Sequence, residues 1–484
     1  MSIRFVKALP RQFDALCTLY QNVISVMRAH GLRQWEWEVY PTSDQLERDL
    51  EAGQLYRVEE NGALCGAFVL CGDIAEEYSS LEWHYGVKPA TLHRFAMLPE
   101  VFGMEMAGRM LSFVKEEALR LGFDSLRVDI CCEDEKMLRR FSSEMTREAG
   151  RIYFENFGMD YVCFETPLSA DCPMLPIRMH PAYRHGEMTP WGGNQLCSFY
   201  GRSIPEERTG EALEISAIRN LESRTSQGET LSALIQRNGA RLMGDVQGEF
   251  PLLLKLLAAR DSLSVQVHPD DAYAKAHENK LGKTEAWVIL QAEENASILY
   301  GLDEGVTIDR LRIALESGDD IEPLIRRVPV KPGEVYYMPA GMVHAIGAGV
   351  LLYEIQQSSD VTYRLWDFNR TNAKGEKRPL HIRQALDVID PGLRGQCTQL
   401  PPPGGNEVLN LLNVPAFRLD CACVNGECML EPAASFRMLT ALAGLLLQWE
   451  GDAVQLHAGD TVLLPATCPE ISLTGVGRAL IARP

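Results

Sequence analysis

No apolar run in this 484-residue chain approaches the roughly 20 residues that a membrane span needs. The opening Met1-Ser2-Ile3-Arg4-Phe5-Val6-Lys7 lacks the apolar core of a signal peptide, so the expected location is the cytoplasm. A cationic surplus is also missing: 66 acidic against 47 basic residues leave a net charge of -19. Nucleic acid and anionic membranes repel such a chain, and a phosphorylated ligand has to be held by a local cationic pocket. Gly and Pro are not in excess, which excludes a low-complexity chain. The thirteen cysteines form an odd count without regular spacing from Cys17 to Cys468, which excludes a small disulfide framework and predicts buried free thiols.

What remains is enough apolar sequence for more than one folded core. Residues 1–168 mix helical and strand periods. An amphipathic helix runs through Asp14 to Tyr20, a hairpin from Leu55 to Leu70 turns at Asn61-Gly62, and a strand at Thr91 to Met97, a helix from Met104 to Leu121 and a strand at Ser125 to Cys131 follow. That order predicts an α/β domain. The Pro-containing stretch Ser169 to Pro176 marks a boundary, beyond which short alternating strands divided by Gly, Pro and Asp predict a mainly-β jelly-roll domain over 176–395. Helical insertions are expected at Thr230 to Gln236 and Ile308 to Glu316. A second gap ending in Pro401-Pro402-Pro403-Gly404-Gly405 separates a third domain over 405–484. Its phrase Leu456 to Pro465 echoes Val330 to Pro339, which reads as a duplicated jelly-roll plan. In that last stretch His457 is the one ligand-type residue, and Cys421, Cys423 and Cys428 read as inward thiols on an Asn425-Gly426 hairpin rather than as a zinc knot.

Four residues of metal-binding type stand out. In Ser264-Val265-Gln266-Val267-His268 the β-branched alternation predicts a strand with Gln266 and His268 on one face, which is half a metal site. Glu285 follows in Gly282-Lys283-Thr284-Glu285-Ala286-Trp287, and His344 in Pro339-Ala340-Gly341-Met342-Val343-His344. Taken singly, each has a bland reading: a surface amide, core histidines, a glutamate paired with Lys283.

Taken with Trp191-Gly192-Gly193, Thr209-Gly210-Glu211, Phe250 to Lys255, Glu354 to Arg364 and Trp366 to Arg370, these segments resemble the short bacterial form of type I mannose-6-phosphate isomerase, a zinc cupin enzyme. The resemblance covers about 200 residues and implies Gln266, His268, Glu285 and His344 as zinc ligands. Two imidazoles, a carboxylate and an amide oxygen suit zinc and leave it net positive. It also implies Lys283, Arg364, Glu354 and Asp360 as pocket or catalytic residues, and an enediol route between mannose 6-phosphate and fructose 6-phosphate. A cation beside the developing oxyanion lowers such a barrier by several kcal/mol, a rough figure. Residues 176–484 would otherwise serve as a cupin that senses sugar phosphates without turnover.

The first domain resembles the GNAT superfamily of N-acetyltransferases through Phe95 to Leu111, where a turn at a helix N-terminus would hold the pyrophosphate of acetyl coenzyme A. Gly103 and Ala107 fall in that turn, but Phe102 and Glu105 stand where the family has Gln or Arg and glycine. Tyr153, in Gly150 to Met159, matches the tyrosine that protonates the departing thiolate, against the plainer reading of a core aromatic. The resemblance implies either a working acetyltransferase or an appendage without cofactor.

Overall fold

The computed structural model describes residues 3–98, 104–372 and 374–484. The chain forms two compact units, Met1–Leu175 with Thr467–Pro469, and Pro176–Ala466 with Glu470–Pro484.

In the first unit the elements run β1 (Ile3–Lys7), α1 (Phe13–Ala29), α2 (Ser43–Glu51), β2 (Leu55–Glu60), β3 (Ala63–Cys71), β4 (Pro89–Met97), α3 (Met104–Arg120), β5 (Ser125–Cys131), α4 (Glu135–Glu144), β6 (Arg147–Phe154) and β7 (Met159–Pro167). They build one sheet in the order β1-β2-β3-β4-β5-β7-β6. The β2-β3 turn closes at Asn61 (φ 52°) and Gly62 (φ 87°), the left-handed pair that a two-residue hairpin demands. Only the β4-β5 pair is parallel, so α3 has to cross over between them. Strand β3 is apolar throughout because both its faces are covered. Ala67, Val69 and Cys71 pack with Leu16, Leu46 and Leu50 of α1 and α2, whereas Phe68 and Leu70 pack with Met110 and Val114 of α3.

The second unit is mainly β. A seven-stranded antiparallel sheet includes Leu252–Ala259, Glu285–Ala292, Glu334–Met338 and Val350–Gln357. A five-stranded sheet includes Val265–Val267, Ser297–Leu302, His344–Ile346 and Tyr363–Trp366. A core holding Trp287, Ile289 and Leu352 of the first sheet with Ile298, Tyr300 and Ile346 of the second joins them face to face. The predicted helical insertions are present as Leu231–Asn238 and Ile308–Ser317, capped by the Thr230 and Thr307 side chains.

Residues 405–466 and 470–484 lie inside this second unit, and Thr461–Leu464 pairs with Ile177–His180 from its beginning. The echoed phrases share one turn: Gly333 and Gly459 both take φ 91°, and the acid that follows accepts a backbone hydrogen bond from three residues back, Lys331 N to Glu334 Oε2 (2.8 Å) and His457 N to Asp460 Oδ2 (2.9 Å). The Asn425-Gly426 hairpin is a correction. Phe417–Leu430 runs straight through those residues as one strand, paired over its length with Ile471–Arg483. Long-range pairing overrides the local turn signal, although Cys421, Cys423 and Cys428 are buried free thiols as expected. Among the described residues no helix is long and apolar enough to cross a membrane.

Candidate metal centre

The donors converge because two strand pairings line them up. On the five-stranded sheet Gln266 pairs with His344 on one side and with Arg364 on the other, while His344 also pairs with Tyr300. Antiparallel partners share a face, so Tyr300, His344, Gln266 and Arg364 form one inward row. Val265 and Val267 face the opposite way into a separate apolar core with Leu311 and Leu365. From the other sheet Glu285 arrives between Gln356 and Met338.

His268, Glu285 and His344 bring one ligand atom each within 4.8 Å of one another, and all three are buried. His268 Nδ1 lies 2.9 Å from the Val361 carbonyl and His344 Nδ1 2.9 Å from the Met342 carbonyl. A carbonyl only accepts, so both rings carry their proton on Nδ1 and present Nε2 as a lone pair. His344 Nε2 sits 3.2 Å from Glu285 Oε1 and His268 Nε2 sits 3.6 Å from Oε2. The Gln266 amide reaches within 3.5 Å of His344 Nε2. Glu285 Oε2 is ion-paired with Lys283 Nζ at 2.9 Å, and neither Glu285 oxygen accepts a well-directed hydrogen bond. Burial by itself would raise the Glu285 carboxyl, but the Lys283 ammonium and the neighbouring imidazoles hold it well below the ordinary range. Burial and the same ammonium push His268 well below the usual imidazole value. A buried carboxylate offset by one ammonium and facing two imidazole lone pairs fits a divalent cation.

The remaining predicted residues distribute as follows. Lys283 is in the centre: its Nζ lies 2.9 Å from His268 Nε2 and 2.9 Å from Glu285 Oε2. Arg364 stands beside Gln266, tied to Ser264 Oγ (3.3 Å) and the Pro379 carbonyl (2.9 Å). Asp360 is a half-exposed carboxylate paired with Lys280 at 2.5 Å. Glu354 is buried away from the donor atoms. It accepts from Lys255 Nζ (3.0 Å) and from the Trp287 indole (3.1 Å), whose ring packs edge-on against His344. Lys255, in turn, lies 3.8 Å from Glu211, which is bonded to Arg184. Lys255, Glu211 and Arg184 form a charged cluster with Glu354 to which the sequence reading gave no role. The signal was a lysine inside the otherwise apolar run Leu252 to Ala259, a pattern that requires a buried partner.

The acetyl-coenzyme-A assignments fare differently. Gly103 lies outside the described residues, and Ala107 falls within α3. Tyr153 is 54% exposed on β6, which does not match the core-aromatic reading; Tyr161 on β7 lines the cavity of this unit, as Tyr40 does. His457 is exposed and pairs only with Asp460.

Two facing antiparallel sheets around a buried pair of histidines and a carboxylate define a cupin-type protein with a candidate metal centre. The family model "Phosphomannose isomerase type I, catalytic domain" matches residues 176–294. The mannose-6-phosphate isomerase of Streptococcus mutans is 39% identical over 283 residues, covering 57% of this chain and 89% of that protein. Mannose-6-phosphate isomerase ManA of Bacillus subtilis is 38% identical over 307 residues, covering 60% and 94%. A crystal structure of the mannose 6-phosphate isomerase from Bacillus subtilis superimposes with a TM-score of 0.59 at 34% identity, over 64% of this chain and all of that one. The chain therefore belongs to the mannose-6-phosphate isomerase family, and its enzyme class is that aldose–ketose isomerase.

Proposed function

We propose that the second unit is zinc-dependent and interconverts D-mannose 6-phosphate and D-fructose 6-phosphate through an enediol. The observation that carries this is the convergence of two imidazole lone pairs on the buried carboxylate of Glu285. Zinc held by Gln266, His268, Glu285 and His344 would supply Lewis-acid polarisation of the sugar carbonyl. The protein's own part is positioning. Lys283 puts a buried ammonium, with three donors, beside the centre, where the sugar oxygen gains charge as the C2 proton leaves. Arg364 offers a planar guanidinium on the next strand for a sugar or phosphate oxygen. Asp360 and Lys280 form the charged rim. Glu354, committed to Lys255 and Trp287, acts as a positioning residue behind His344. All thirteen thiols are free, which supports a reducing, cytoplasmic location.

The test is an isomerase assay on mannose 6-phosphate after chelation and zinc re-addition. Turnover is expected to vanish on chelation and return with zinc in the wild type, and to be absent throughout in His268→Ala. Full turnover by protein shown to be metal-free would overturn the reading.

For the first unit a second reading is supported by its topology. A seven-stranded sheet with one parallel pair, bridged by a helix whose N-terminus follows the Gly103 segment, agrees with an acetyltransferase-like domain. Titration of the full chain with acetyl coenzyme A, compared with Glu105→Gly, checks it. Binding strengthened by the substitution supports a phosphate turn at α3, and no binding by either protein removes the cofactor role.

A further inference from the structure

The first unit contains a cavity of about 630 Å³, within the size range of small-molecule sites. Its position follows from the sheet. Strands β4 and β5 pair in parallel from Pro89/Ser125 to Thr91/Arg127 and no farther, and beyond that point their side chains His93 and Asp129 line open space. A bulge in β4 against β3, with Arg94 at φ 50°, turns the Arg94 side chain aside. Its guanidinium bonds Asp49 at 2.7 Å and reaches Tyr40 Oη at 3.4 Å, so this cation is already neutralised. Lys136 also borders the cavity but is exposed.

One wall is a continuous run of rings. Trp35 meets Tyr40 edge-on at 6.2 Å, Tyr40 meets Phe157 at 5.0 Å, and Phe157 meets Tyr161 at 6.2 Å. Facing them is the Asp129 carboxylate, which accepts a 2.7 Å hydrogen bond from the Tyr78 hydroxyl; burial raises this carboxyl, and the neighbouring His93 opposes the shift. Glu77 and Asp134 line the same space, and with Asp129 they outnumber Arg94 and the exposed Lys136. A buried carboxylate opposite aromatic faces favours one kind of occupant, an organic cation whose charge meets the acid while its apolar body and the ring quadrupoles meet each other.

We propose that this cavity is a binding site for an organic ammonium compound with an apolar or aromatic body, with Asp129 as its counter-charge. The proposal requires neither the isomerase nor the acetyltransferase reading, and nothing in it depends on the metal.

The experiment is calorimetric titration of the full-length protein with three probes of one shape: phenethylamine, the neutral 2-phenylethanol and the anionic phenylacetate. The amine is expected to bind at least about tenfold more tightly than the alcohol, and phenylacetate not at all. Asp129→Asn is expected to erase the difference between amine and alcohol, and Phe157→Leu to weaken both several-fold. Equal binding of alcohol and amine by the wild type would overturn the proposal, because it would mean that His93 already compensates Asp129. Absence of heat with the amine up to about 10 mM would do the same. So would undiminished amine binding by Asp129→Asn with native near-ultraviolet circular dichroism. The wild-type comparison of amine with alcohol decides the matter even if the variant does not fold.

Discussion

Lys255 donates a 3.0 Å hydrogen bond to Glu354 across adjacent antiparallel strands, and both side chains are almost completely buried. A charge withdrawn this far from water is tolerated only with its partner. Glu354→Ala should therefore destabilise the second unit by about 3–5 kcal/mol, whereas the double change Lys255→Met with Glu354→Leu should cost much less. Urea unfolding of both variants checks this. Equal losses would mean that the pair is not a closed unit.

Lys283→Met is expected to keep the bound metal and lose turnover by about 100-fold, since the ammonium is placed to act on charge that develops in the reaction rather than to hold the donors. Metal analysis beside kinetics separates the two. Loss of the metal together with activity would assign Lys283 to site assembly instead.

Gly282 lies where a Cβ would meet backbone atoms, at 2.5 Å from both Asp270 C and Asp271 N. That close approach also lets Lys283 N bond the Pro269 carbonyl at 2.9 Å and Gly282 N bond Asp271 Oδ1 at 2.8 Å, which aligns the Glu285 segment with the His268 segment. Gly282→Ala should part them and weaken metal affinity by about 10-fold or more, measured by competition with a chromogenic chelator. Wild-type affinity would show that the segments adjust independently.

Asp367 sits between two arginines, accepting from Arg378 at 2.5 and 2.7 Å and from Arg370 at 2.5 Å. Burial opposes its ionisation, but the two guanidiniums outweigh it and hold the carboxyl below its ordinary value. A depressed folded-state pKa stabilises above the unfolded value of about 4 and loses that contribution as pH falls further. Asp367→Asn should be less stable by about 1–2 kcal/mol near neutral pH, and the gap should close toward about pH 3. Chemical denaturation at the two pH values reads this directly. A gap independent of pH would point to packing rather than charge.

The candidate metal donors were legible because a strand's period of two puts Gln266 and His268 on one face whatever the rest of the chain does. The same local logic found the Asn61-Gly62 turn and the Thr230 and Thr307 helix starts. It failed where a distant segment decides. Asn425-Gly426 carries a hairpin signal that the pairing with Ile471–Arg483 overrides. The placement of Glu354 depends on Lys255, 99 residues away, and no local pattern reports that. Tyr153 and Tyr161 flank a tight turn on paired strands, and only the sheet's twist and cover determine which ring faces inward.

The segment Ile471–Arg483 bonds with three others, Phe417–Leu430, Arg437–Ala441 and Leu445–Trp449. During synthesis those three emerge first and wait with exposed amides and carbonyls until the last of the four has been made. This part of the molecule can acquire its native order only after Ile471–Arg483 has been made, and it is where a chaperone would exert the greatest effect.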